Sequence, residues 1–228
     1  MDDIVEFEVF RQHVDELPCN SDAVLLKTLY LTASRVYEVV TKRMPNEAVK
    51  GLTSYGERMD WSLVDYVGDG VPEKVLLLRI AVAKRKTKGK DDQVYKMIAL
   101  PCSPKYEPWT VDLLKHIQER GRLAFDLTTR RVGQIVKRTF RDLDTMIHTH
   151  SLRHFRITHL VNAYGFEPYD LTAIAGWTYR TGLGHMGLGS GKLDAYLHLA
   201  WKHYFPKLLK PMHNLMGVTR YAVASTIA

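Results

Sequence analysis

From Ala23 to about Arg43, apolar residues recur at helical spacing (Leu25, Leu29, Ala33, Val36, Val40), with Ser21 and Asp22 placed to cap and Pro45 just beyond. Apolar positions three to four apart mark one helix face, so this stretch predicts a buried helix. The period then changes. Trp61 to Val67, Lys74 to Ala83 and Gln93 to Leu100 read as three strands, the last two joined by the polar turn Lys88-Gly89-Lys90-Asp91-Asp92, which predicts a small antiparallel sheet. Pro101, Pro104 and Pro108 mark a loop. Beyond it Thr110 to Glu119, Thr129 to Leu143, Ser151 to Tyr164 and Tyr169 to Ala175 return to helical spacing, with Gly165 as a C-terminal stop. Five glycines between Gly182 and Gly191 precede a last predicted helix from Lys192 to about Leu209. The expected class is mixed and mainly α, a helical domain with a small three-stranded antiparallel sheet.

The pattern divides the chain into an acidic lead-in over residues 1–22, one domain over 23–210 and a tail over 211–228. Residues 1–22 hold seven acids and one base. At 228 residues with 46% hydrophobic content, the chain can bury a substantial core. Its net charge of +7 is unevenly placed: residues 1–114 carry 16 basic and 18 acidic groups, residues 115–228 carry 16 and 7. The positive field therefore belongs mainly to the second half, with Lys84, Arg85, Lys86, Lys88 and Lys90 as a second basic spot, and a polyanionic partner is expected.

Cys19 and Cys102 stand far apart without metal-ligand spacing, which argues against a disulfide framework or a cysteine zinc site and for a reducing compartment. The acidic start and the interruption of the apolar run Val75 to Ala83 by Arg79 give no signal peptide and no membrane span. Seven histidines between His148 and His203 include no pair with a familiar zinc arrangement, so no metal is expected, and His154 and His159 are expected to support their helix from the interior.

His150-Ser-Leu-Arg153 sets an imidazole and a guanidinium three residues apart at a helix start, on one face and able to grip one anion. Arg35 interrupts an apolar helical pattern, where desolvation calls for an anionic partner that Glu38 could supply.

Taken together, Leu-Tyr-Leu-Thr-Ala-Ser-Arg35-Val-Tyr-Glu, the basic hairpin ending Lys-Arg-Lys86-Thr, Thr-His150-Ser-Leu-Arg153-His-Phe-Arg-Ile-Thr-His-Leu and Ala-Gly-Trp177 resemble the catalytic domain of the tyrosine recombinases, the phage-integrase family, over residues 20 to 210. The motifs stand in the family's order. The resemblance implies that family's catalytic fold and a transesterification at a DNA phosphodiester through a 3′-phosphotyrosine, without cofactor or metal. Arg35 and Arg153 match the two family arginines, whose planar, always-charged forks suit a phosphoryl transition state. His150 would hydrogen-bond the phosphate or take the tyrosine proton, and Trp177 stands where members carry His or Trp. Lys86 best matches the lysine that protonates the leaving 5′ oxygen, while Lys84, Arg85, Lys88 and Lys90 would meet backbone phosphates.

Tyr196, in Tyr196-Leu-His198, matches the nucleophile in preference to Tyr204, although it lies nineteen residues after Trp177 where nine is usual. Leu183-Gly-His185 offers a second alignment, with His185 in place of Trp177; both select Tyr196. The resemblance implies double-stranded DNA as partner, a tetramer on DNA and a monomer in solution. It also implies a cytoplasmic, nucleoid-associated location, or a host-cell interior if a virus or plasmid encodes the chain. The alternatives at this stage are a noncatalytic DNA-binding descendant of the fold and a relaxing enzyme of type IB topoisomerase kind. The family's usual N-terminal DNA-clamping domain is too large for 22 residues.

Overall fold

In a computed structural model, residues 6–18, 20–42, 59–68, 71–82, 95–122, 124–143, 146–176 and 200–215 are described. They form a mixed, mainly helical structure around a three-stranded antiparallel sheet. The elements are α1 (Phe7–Asp15), α2 (Asn20–Leu31), α3 (Val36–Val39), β1 (Asp60–Gly68), β2 (Val71–Ala81), β3 (Tyr95–Pro101), α4 (Pro108–Arg120), α5 (Thr129–Thr139), α6 (Thr149–Asn162), α7 (Pro168–Ala175), α8 (Ala200–Leu208) and α9 (Met212–Leu215).

Helix α2 is the axis of the fold. Every residue from Ala23 to Leu31 is buried, as expected of a helix with apolar residues on all sides, and α1, α4 and α6 pack around it. Lys27, buried with the rest, places its ammonium 2.8 Å from both Asp15 and Asp112. The acidic lead-in joins this core: Phe7, Phe10 and Val14 of α1 are buried in it, and Arg11 forks onto Glu107 at 2.7 and 3.2 Å. Glu107 also accepts the Trp109 N–H, capping α4.

The sheet runs β1-β2-β3, with Leu63 opposite Leu76, and Leu76 opposite Leu100. Because side chains alternate across a strand, Leu76, Leu78, Ile80, Ile98 and Leu100 share one face with Lys96, whereas Val75 and Ala99 lie on the other. At the outer edge of β3, the Tyr204 hydroxyl of α8 accepts from the Ala99 N–H at 2.9 Å and donates to the Met97 carbonyl at 3.0 Å. Helix α8 is tied to α7 as well, since the buried Asp170 carboxylate receives Lys207 and His203, each at 2.8 Å.

Most elements stand within a few residues of their expected bounds, including the Gly165 stop, whose φ is 71°. The part of the last predicted helix before Ala200 lies outside the described residues. The main correction is the helix expected over Ala23 to Arg43. It ends at Leu31, and Arg35 is the N-cap of the short α3, not a helix-interior residue. The cause is local. Thr28 and Thr32 hydroxyls turn back onto the Val24 and Thr28 carbonyls, the Thr32 and Ser34 hydroxyls lie 2.8 Å apart, and the Glu38 carboxylate accepts the Arg35 backbone N–H at 3.0 Å. These side-chain bonds offer the backbone an alternative to continued helix. Ala33 takes φ of +46°, the left-handed conformation in which helices commonly end, and Val40 bridges to Phe125.

Candidate active site

The break after α2 turns the Thr32 and Ala33 carbonyls toward two cations, Lys96 and Arg153, and a third, Arg35, follows at the start of α3. Arg153 of α6, 2% exposed, donates from Nη1 to the Ala33 carbonyl at 2.7 Å and from Nη2 to the Ala175 carbonyl, at the end of α7, at 2.8 Å. Lys96 of β3 donates from Nζ to the Thr32 carbonyl at 2.9 Å, with the Ala33 carbonyl at 3.4 Å. Arg35 places Nη1 3.2 Å from Glu38 Oε1, and Lys96 Nζ lies 3.4 Å from Glu38 Oε2. One buried carboxylate thus faces three cations. The cluster carries an excess of positive charge, and Arg35, with about a quarter of its side chain exposed, opens it to solvent.

The protonation behaviour follows from that imbalance. Burial pushes the Lys96 ammonium down to about 8, with Glu38 opposing and Arg153 adding to the shift. Burial and then the like charge of Arg35 pull Arg153 down to about 10, so it stays charged at neutral pH. Burial alone would raise the Glu38 carboxyl, but Lys96, the Arg35 backbone N–H and Arg153 hold it below the usual carboxylate range.

A pH dependence of stability results. The folded value for Lys96, about 8, lies below its ordinary 10.5, so between these the unfolded chain binds more protons and stability rises with pH. Urea unfolding at about pH 7.5 and 9.5 should show the parent chain gaining stability relative to a Lys96→Met variant, which lacks this titration. A difference between the two proteins that stays flat with pH would count against a buried, charged Lys96.

Of the residues predicted from sequence, Arg35 and Arg153 are brought together in this cluster. His150 lies on the same helix as Arg153, exposed at its first turn, its ring edge-on to His154 at 4.6 Å. His154 is exposed rather than interior, because it faces away from the side of α6 that carries Arg153, Arg156 and Leu160. His159 is buried as expected and shares a 2.8 Å hydrogen bond with the Tyr30 hydroxyl. Tyr204 is fully buried, with its hydroxyl engaged by β3 both as donor and as acceptor, and burial raises its phenol well above the ordinary value. Lys84, Arg85, Lys86, Lys88, Lys90, Trp177, His185 and Tyr196 lie outside the described residues.

Lys96 and the carbonyl ends of α2 and α7 were not singled out by sequence reasoning. A signal for Lys96 exists: on β3 it is in phase with Ile98 and Leu100, a lysine on the apolar parity of a strand. Among the described residues no group of three His, Cys, Asp or Glu side chains could hold a metal ion, and no helix is long and apolar enough to cross a membrane. Compared with known proteins, the chain matches no family profile and no curated protein.

Proposed function

We propose that the chain is a DNA strand transferase of the tyrosine recombinase kind, with the catalytic fold of that family, cutting and rejoining DNA through a covalent 3′-phosphotyrosine. The observation that carries this reading is the convergence of Arg35 and Arg153, remote in sequence, on one site with excess positive charge. A phosphodiester placed there meets two guanidinium forks and the imidazole-bearing first turn of α6. A nearby surface suits the rest of a duplex: Arg130 and Lys137 recur seven residues apart on α5, Arg141 follows just past its end, and all three are exposed. Such cations neutralise backbone phosphates irrespective of sequence.

In the proposed reaction the Tyr196 phenolic oxygen attacks phosphorus as its proton passes to a base, for which His150 is suited. A phosphorus–oxygen bond to the tyrosine forms and the bond to the 5′ oxygen breaks. The departing 5′ oxygen takes a proton from a lysine, Lys86 in the family-like assignment. Arg35, Arg153 and Trp177 hold the nonbridging oxygens as charge develops on them. One phosphodiester replaces another, so religation is the reverse step and needs no energy source. The burial and double engagement of Tyr204 favour Tyr196 as nucleophile.

A noncatalytic DNA-binding descendant has one observation in its favour, the engagement of both Arg153 Nη atoms by backbone carbonyls. Trapping on a nicked suicide duplex with EDTA present decides between them. The parent chain and Tyr204→Phe should form a protein–DNA adduct, Tyr196→Phe should form none, and all should bind DNA alike. Absence of adduct with the parent chain, or adduct formation by Tyr196→Phe, would refute this assignment.

A further inference from the structure

At the other end of α2 from the cation cluster, about 17 Å away by the rise of a helix from Ser21 to Thr32, a second concavity is built on different residues. It encloses about 610 Å3 between the start of α2, the end of α4, the loop that follows and the start of α5. Its wall is the His116 ring, stacked on Phe125 with centroids 4.7 Å apart and planes at 19°. His116 is 7% exposed, and its Nε2 is buried without a hydrogen-bond partner. A buried polar nitrogen is rarely left unsatisfied in a folded protein, and this one belongs to a residue of the cavity lining, so a ligand atom drawn in beside the ring would complete its bonding.

Three guanidiniums, those of Arg120, Arg122 and Arg131, surround the opening, and none makes an ion pair among the described residues. Two carboxylates, Asp22 and Asp126, share the lining and have partners of their own, with the Arg122 charge also acting on Asp126 and Glu119 acting on His116. Asp22 receives Arg138 at 2.6 Å, while Asp126 receives the Thr41 hydroxyl at 2.9 Å and the Lys42 ammonium at 3.1 Å. The cavity therefore combines a flat aromatic wall, an unsatisfied imidazole nitrogen and three planar donor forks of one sign. Planar forks match the tetrahedral, multiply charged oxygens of a phosphoryl group. The volume is that of sites that take small ligands of nucleotide size.

We infer that this cavity is a phosphoryl-binding site, distinct from the Arg35–Arg153 cluster, with His116 Nε2 and the guanidiniums of Arg120, Arg122 and Arg131 as its donors. The imidazole serves in its Nε2–H tautomer. Burial and the neighbouring Arg120 lower its proton affinity, so it meets the ligand as a neutral donor while the arginines supply the charge. The phosphoryl group comes either from a free nucleotide or from the backbone of a duplex lying against α5. The site does not depend on the strand-transfer reading, since it shares no residue with that chemistry.

The test follows the His116 side-chain 15N resonances in the full chain at low ionic strength, during titration with inorganic phosphate, adenosine 5′-monophosphate or a short DNA duplex. Inorganic phosphate should shift Nε2 saturably, and Arg122→Gln with Arg131→Gln should weaken that binding at least tenfold. Both arginines are exposed, so the doubly substituted chain should melt like the parent. Tighter binding of the mononucleotide than of phosphate assigns the free ligand, whereas saturation by duplex at lower concentration than either assigns the backbone. Nε2 resonances unmoved by all three probes, or equal affinity in the substituted chain, would overturn the site. Adduct trapping on the same samples keeps the two proposals separate, because an adduct formed without any His116 shift removes this site and leaves strand transfer standing.

Discussion

Glu38→Gln is expected to destabilise the fold by about 3–5 kcal/mol, the range seen when one member of a buried ion cluster is removed and its partners stay charged. Glu38 is fully buried and faces Lys96, Arg35 and Arg153 together. An amide of the same shape can still accept the Arg35 backbone N–H but leaves three like charges with no anion between them. The damage should be reversible by a second substitution. In Glu38→Gln with Lys96→Met one buried cation disappears along with the anion, and urea unfolding should return most of the lost stability, a favourable coupling well outside experimental error. Additive losses in the double variant, or a loss below about 1 kcal/mol for Glu38→Gln alone, would show that the cluster is not held by this carboxylate.

Arg153→Lys should lower the rate of adduct formation on a suicide duplex by about a hundredfold to a thousandfold, the usual effect of deleting one fixed donor to a developing oxyanion. The charge is conserved in this change and the geometry is not. The guanidinium spans the Ala33 and Ala175 carbonyls at 2.7 and 2.8 Å, joining the end of α2 to the end of α7 while its charge sits between them. An ammonium is a single point of charge on a flexible stem and cannot bridge both carbonyls in one plane. One carbonyl loses its partner, so a stability loss of about 1–3 kcal/mol should accompany the rate defect. Urea unfolding measured beside the initial rates separates the two. A rate within tenfold of the parent chain would mean that Arg153 only ties helices together.

Long periodic segments were legible in the chain: the helices that carry Leu113 and Leu160 and the strands that carry Leu76 and Ile98 stand near their expected positions. The break at Thr32 to Arg35 was not. Apolar spacing continues straight through it, and what ends the helix is a set of hydroxyl-to-carbonyl bonds and one carboxylate cap, competitors that hydrophobic periodicity does not register. Arg35 was legible as a charge that needs an anion, and Glu38 as that anion. That Arg153 and Lys96 converge on the same carboxylate was not, because tertiary packing decides it. Lys96 was hidden by its neighbours, since the lysine-rich run a few residues earlier draws attention by number whereas Lys96 is distinguished only by strand parity. The exposed His154 and the interior His159 sit on one helix, and the face turned toward the core, where Tyr30 of α2 meets His159, decides between them.

Gly176 closes α7 with a φ of 64°, and a Cβ added there would lie 2.8 Å from Val82 Cγ2 and 3.4 Å from Lys96 Cδ. The main chain leaves α7 flush against the stem of Lys96, one residue after the carbonyl that Arg153 holds. Residues 177–199 are joined to the protein at this point and again at Ala200, where α8 is anchored to β3 and α7. Any reactive group carried on them is a tethered reactant. Its supply does not depend on the concentration of the protein itself. A first chemical step drawing on this segment in cis keeps the same rate constant as the protein is diluted, whereas a step drawing on another molecule's segment slows in proportion.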